Sequence, residues 1–199
     1  MNLANKITCI RIMLIPVFIL FITPMPAWII NKDNIFSLIN NYNIGIATAI
    51  FIIAVITDKL DGYIARKYNQ VTKLGCFLDP LADKLLIISA LMFLVEENKI
   101  GGWIALIIIG REIAVTGLRL AAAINNKVLS ADKYGKIKLV FQAITIPLYL
   151  LNNYHFNLIE RFSLDSVMMF FTVIITVYSG INYFIKNKDV FLDSGKLII

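Results

Sequence analysis

Hydrophobic residues in this chain come in long blocks instead of alternating with polar ones. Charge-free stretches run Ile12 to Asn31, Asn34 to Thr57, Leu85 to Val95, Ile100 to Gly110, Leu139 to Tyr154 and Ser166 to Ile185. At roughly 20 residues per crossing of about 30 Å of hydrocarbon, the first, second and last are long enough alone. The others reach that length only by taking in charged residues near their ends: Asp79 with Asp83, Arg111 with Arg119, and Lys136 with Lys138. The blocks predict six helices, at residues 6–24, 43–68, 76–95, 101–123, 135–152 and 165–186. Pro24, Pro26 and an Asn-rich run mark the connection between the first two as irregular. With no internal repeat, low-complexity tract or soluble insert, residues 1–199 read as a single all-α domain, a polytopic integral membrane bundle of six transmembrane helices.

Composition agrees. Of 199 residues, 59% are hydrophobic and 16% charged, and mean hydropathy is +0.78, more apolar side chain than a soluble core of this size hides. Lys6 and Arg11 before the first block resemble the start of a signal peptide, but Thr23-Pro24-Met25-Pro26-Ala27-Trp28 offers no small-x-small cleavage site, so the segment reads as a retained helix. Cys9 and Cys76 make no disulfide framework and receive no role. A net charge of +6 would suit nucleic acid, but the basic residues gather at alternate helix ends. Of nineteen Lys and Arg, only Lys32, Lys99 and Arg161 fall on the opposite side, which leaves sixteen on one. Under the positive-inside rule that side is cytoplasmic, and it holds both termini.

The chemistry is concentrated in Asp58-x2-Asp61-Gly62-x2-Ala65-Arg66-x8-Gly75-x3-Asp79-x3-Asp83. A carboxylate in a membrane helix costs about 3 kcal/mol uncompensated, so four of them need a shared compensating charge. Spacings of three and four put Asp58 with Asp61, and Asp79 with Asp83, on single helical faces. A short turn around Gly75 makes the two helices antiparallel neighbours with both pairs at similar depth. Four hard oxygen donors suit Mg²⁺, Mn²⁺ or Ca²⁺, and the lack of His or Cys among them argues against zinc. His155 reads as a surface residue. Gly62, Ala65 and Gly75 are small and let a ligand approach the backbone closely, whereas Gly110, Gly117 and Gly180 read as tight helix packing.

Two other readings of the aspartates stay open at this stage. Pairing with Lys59, Arg66, Lys67, Lys73 and Lys84 would make a solvated charged loop; a cation transporter or channel would place polar groups through the depth of several helices, whereas here they gather at one end. The cations and Thr8 at cytoplasmic helix ends, namely Thr8, Arg11, Arg111, Arg119, Lys133, Lys136 and Lys138, fit a phosphate-bearing ligand. Anchoring to anionic headgroups suits Lys127, Lys186 and Lys188 better.

The spacing from Asp58 to Asp83 matches at every fixed position the signature of the CDP-alcohol phosphotransferase family, which the chain therefore resembles. Asn5-Lys6-Ile7-Thr8-Cys9-Ile10-Arg11, Gly110-Arg111-Glu112-Ile113 with Leu118-Arg119, and Gly135-Lys136-Ile137-Lys138 look like its phosphatidylglycerophosphate-forming branch. The resemblance implies transfer of a substituted phosphate from a CDP-linked donor to an alcohol, with release of CMP. It implies Mg²⁺ or Mn²⁺, two ions, held by Asp58, Asp61, Asp79 and Asp83, with Asp83 the general base. Asp58, Asp61, Gly62, Ala65, Arg66, Gly75 and Asp79 would bind the donor, CDP-diacylglycerol. Thr8, Arg11, Arg111, Arg119 and Lys136 would bind sn-glycerol 3-phosphate, with serine, inositol phosphate or phosphatidylglycerol as alternative acceptors. Membrane lipids are the surroundings, no nucleic-acid partner is expected, and homodimerisation follows from the resemblance. The active site would open at the cytoplasmic side, where a lipid donor keeps its acyl chains in the bilayer.

Overall fold

Each hydrophobic block becomes a helix in the computed structural model of the chain, which describes residues 3–23, 43–58, 73–124, 129, 132–151 and 164–188. The helices are α1 (Leu3–Ile22), α2 (Asn43–Asp58), α3 (Lys73–Glu96), α4 (Gly102–Ile124), α5 (Lys133–Leu151) and α6 (Leu164–Lys186). No strand occurs among the described residues. Every described end lies within three residues of its sequence expectation; the predicted continuation of α2 to residue 68 lies outside the described residues.

Local chemistry accounts for the helix ends. After α3, Asn98 takes a left-handed φ of 56°, while Asn98 N–H donates to Val95 C=O at 3.0 Å and Lys99 N–H to Leu94 C=O at 2.9 Å. That is a Schellman closure, with asparagine at the position glycine usually fills. α4 starts directly afterwards, Ile104 N–H donating to Gly101 C=O at 2.9 Å. A Cβ on Gly101 would fall 2.7 Å from the ring nitrogen of Trp103, so the exposed indole would have to move to admit one. Pro16 and Pro147 sit inside α1 and α5; apolar helices tolerate such prolines when neighbours satisfy the freed backbone groups.

Contacts divide the chain into two compact units, Met1–Lys99 with Ile146–Phe156, and Ile100–Thr145 with Asn157–Ile199. In the first, α1 packs along α3. α1 buries Arg11, Ile15, Phe18 and Ile22, and α2 buries Asn43, Ala47, Phe51 and Ala54, each a stripe of helical period. Phe18 and Phe51 meet with ring centroids 5.9 Å apart. Lys99 Nζ donates to the Tyr149 carbonyl at 3.2 Å, satisfying an orphan acceptor near the carboxy-terminal end of α5.

In the second unit α4 packs along α6, and polarity runs opposite to that of a soluble bundle. The buried stripe of α6 is Met169, Thr172, Thr176, Ser179, Gly180 and Tyr183. Its exposed face is Phe170, Phe171, Ile174, Val177, Ile181 and Ile185, with Phe170 64% exposed. Hydroxyls inside and large apolar groups outside is the arrangement hydrocarbon rewards, since lipid solvates the aliphatic face and leaves small polar residues to join helices. Thr145 and Thr172 share a buried hydroxyl–hydroxyl bond of 2.9 Å. Among the described residues α6 is the helix long and apolar enough to cross a membrane by length and composition, and Ile10–Ile22 and Asn43–Asp58 are shorter apolar stretches. α4 falls short of that test because Arg111, Glu112 and Arg119 interrupt it.

Candidate active site

Asp58 ends the described part of α2, where its Oδ1 accepts a bond of 2.8 Å from Arg11 Nη1 on α1. Arg11 is fully buried and Asp58 is 37% exposed at its side chain, so the pair joins an enclosed cation to a carboxylate that still faces outward. A guanidinium in an apolar helix needs such a partner, because breaking a buried pair costs about 3–5 kcal/mol. Arg11, read from sequence as an acceptor cation, thus stands beside the first aspartate of the signature. Asp61, Gly62, Ala65 and Arg66 lie outside the described residues. Asp79 and Asp83 fall on α3 and Gly75 in its first turn, with Thr8 on α1, though their side chains lie outside the described residues. The helix over Lys73–Glu96 places Asp79 and Asp83 on one face, four residues apart.

Among the described side chains there is no group of three His, Cys, Asp or Glu residues able to hold a metal. What the structure offers to such an ion is Asp58: an all-oxygen donor, partly exposed, with one carboxylate oxygen fixed by Arg11. That chemistry fits a hard divalent cation.

The other cations that the sequence suggests for the acceptor, Arg111, Arg119 and Lys136, lie in the second unit. Arg111, midway along α4, donates from Nη2 to Ser179 Oγ at 2.6 Å and from Nη1 to Glu112 Oε1 at 3.4 Å. Gly180 makes room for it: a Cβ there would fall 3.1 Å from Arg111 Cγ, whereas one on Gly135 would only touch Nη2 at 3.6 Å. Two turns on, Arg119 is exposed; its Nε donates to the Tyr183 hydroxyl at 3.1 Å, and the guanidinium carbon stands 5.5 Å from that ring's centroid. Lys136 is exposed in the first turn of α5. Lys138 differs: it is fully buried and ion-paired with Glu112.

The packing reading of three glycines divides accordingly. Gly180 is a close-approach position, but a Cβ on Gly110 or Gly117 would meet nothing within 4 Å, so those two face open space. The sequence reading passed over Ser179 and Tyr183 and gave Glu112 only a place in a motif, yet these residues hold the cations. A signal existed: Thr172, Thr176, Ser179 and Tyr183 recur at spacings of four, three and four along an otherwise apolar helix.

Glu112 and Lys138 carry a stability expectation. Lys138→Met alone leaves the mostly buried Glu112 carboxylate with only the 3.4 Å contact from Arg111 Nη1 and should lower the thermal midpoint of the detergent-purified protein, at a cost of up to about 3 kcal/mol. Adding Glu112→Gln should recover most of the loss. An unchanged midpoint in the single variant would remove the pair's structural role.

Asp58 beside Arg11 is the part of the aspartate signature whose side chain is described, and Arg111 and Arg119 are cations of the type that binds phosphate. The pattern of the CDP-alcohol phosphatidyltransferase family matches residues 1–178, and the chain belongs to that family. It is 44% identical over 192 residues to the CDP-diacylglycerol–glycerol-3-phosphate 3-phosphatidyltransferase of Bacillus subtilis, covering 94% of this chain and 96% of that one. Proteins of the same name from Rickettsia felis and Haemophilus influenzae are each 33% identical to it, over 190 and 204 residues, covering 96% and 98% of this chain and 97% and 98% of theirs.

Proposed function

We propose that this protein transfers the phosphatidyl group of CDP-diacylglycerol to sn-glycerol 3-phosphate, giving phosphatidylglycerophosphate and CMP. The observation that carries this reading is the likeness over nearly the full length to the Bacillus subtilis protein of that activity. Arginines suited to bidentate phosphate contact support it.

In this reading Asp58, Asp61 and Asp79, with Asp83, bind divalent cations, Mg²⁺ or Mn²⁺, two ions in all. When bound, the ions neutralise charge on the diphosphate. Arg11 holds the Asp58 carboxylate in place. Gly62, Ala65 and Gly75 leave room for the donor, and Arg66 is a further donor-binding residue. Thr8, Arg111, Arg119 and Lys136 hold the acceptor's phosphate and orient its primary hydroxyl. Asp83 accepts the proton as the hydroxyl oxygen bonds to the phosphorus carrying diacylglycerol and the bond from that phosphorus to CMP breaks. Position supplies most of the gain, because a carboxylate beside metal ions is a weak base.

Residues 1–199 form one domain of six transmembrane helices in this proposal. Its termini and active site are cytoplasmic, the donor's acyl chains stay in the bilayer, and the protein works as a homodimer. A single assay tests activity and sidedness: radiolabelled glycerol 3-phosphate, CDP-diacylglycerol and Mg²⁺ or Mn²⁺ added to sealed membrane vesicles. Inverted vesicles should make labelled phosphatidylglycerophosphate, and right-side-out vesicles should not until opened. Preference for serine, inositol phosphate or phosphatidylglycerol would keep the family and remove the acceptor. Equal activity in both vesicle types would remove the orientation.

A further inference from the structure

An arginine holds a phosphate strongly when its planar fork is presented in a fixed orientation, and a long side chain free to rotate loses that advantage to entropy. Arg119 is exposed, so burial does not fix it. Tyr183 does. Its hydroxyl accepts from Arg119 Nε at 3.1 Å, and its ring lies 5.5 Å from the guanidinium carbon. Because that bond engages the inner nitrogen, the two outer nitrogens remain for a bidentate anion. Tyr183 is itself only 2% exposed and packs with Val115, Leu118 and Ala122, so it acts as a rigid post.

The same face of α6 also meets Arg111 and the start of α5. Ser179, four residues before Tyr183, accepts from Arg111 at 2.6 Å. Asn182 Nδ2 donates to Asp132 Oδ2 at 2.9 Å, and the Asp132 carbonyl accepts from the Lys136 backbone N–H at 3.3 Å, at the start of α5. From Leu164 to Ile185 α6 has no Lys or Arg of its own. It supplies the fixed points against which the arginines of α4 are set.

We infer that Tyr183, with Ser179, is a positioning residue for acceptor recognition, acting through Arg119 and Arg111, which rests on the proposed phosphate role of those arginines. Tyr183→Phe removes the hydroxyl and keeps the ring against Val115 and Leu118. It should therefore raise the KM for glycerol 3-phosphate roughly tenfold, the scale of one lost hydrogen bond to a charged group. The KM for CDP-diacylglycerol and the thermal midpoint should stay near wild type.

The decisive measurement is a double-mutant cycle in the purified full chain. Tyr183→Phe added to Arg119→Ala should raise the glycerol 3-phosphate KM no further than Arg119→Ala alone, because a residue acting through another has nothing left to act on. Multiplying effects, an equal rise in both substrates' KM, or an unchanged KM in Tyr183→Phe would each overturn the positioning role. The underlying reading fails differently: an unchanged KM in Arg119→Ala removes that arginine from the acceptor site, and wild-type protein inactive with glycerol 3-phosphate removes the acceptor itself.

Discussion

Asp58→Asn, Asp61→Asn and Asp79→Asn are each expected to abolish measurable transfer, and excess EDTA should do the same to the wild-type protein. Asparagine keeps the shape of aspartate but removes the charge that binds a hard cation. Losing several kcal/mol of transition-state charge stabilisation, at tenfold per about 1.4 kcal/mol, is a loss on the order of a thousandfold. Asp58→Asn should also weaken the bond from the buried Arg11, so this variant is expected to be less thermostable as well as inactive. The check is a turnover assay with Mg²⁺ or Mn²⁺ titrated back after chelation, beside a melting curve for each variant. Substantial turnover in excess EDTA would sink the metal requirement, whatever the variants did.

Arg119→Ala should have the second largest effect, this time on one substrate. Glycerol 3-phosphate is a dianion near neutral pH, and each charge-assisted contact to it is worth about 1.5–3 kcal/mol, roughly ten- to over a hundredfold in affinity. Arg119 is exposed with its inner nitrogen on Tyr183, so its outer nitrogens are placed to make such a contact. The KM for glycerol 3-phosphate should therefore rise by that factor, with a smaller change for CDP-diacylglycerol; Lys136→Ala should follow the same pattern. Arg119→Lys should rescue only in part, since an ammonium reproduces neither the fork nor the Nε bond to Tyr183. Separate KM determinations for the two substrates check this, and unchanged glycerol 3-phosphate kinetics in Arg119→Ala would defeat it.

Helix positions were legible because hydrocarbon length and charge-free runs constrain them: Ser166 to Ile185 lacks charge, and α6 spans Leu164–Lys186. Side-chain partnership was not legible. Arg111 and Arg119 find Ser179 and Tyr183 at sequence separations of 68 and 64, and no local periodicity encodes a contact at that distance. Lys138 and Lys136 look equivalent along the chain, two residues apart, yet the rotation of about 200° between them buries the first against Glu112 and leaves the second exposed. Gly110 and Gly180 likewise read alike in sequence; only the path of the Arg111 side chain separates them.

The hydroxyls buried along α6 also settle its rotational register. Lipid tails are as apolar as the leucines and isoleucines they touch, so an aliphatic surface alone discriminates poorly between one rotation of a membrane helix and another. Sliding α6 by a single residue turns its face by about 100°. That would carry Thr172 away from Thr145 and Ser179 away from Arg111, leaving hydroxyls in hydrocarbon and a guanidinium without its acceptor. Many apolar sequences could therefore insert in place of α6, but few would lock at the angle where Ser179 and Tyr183 meet the two arginines.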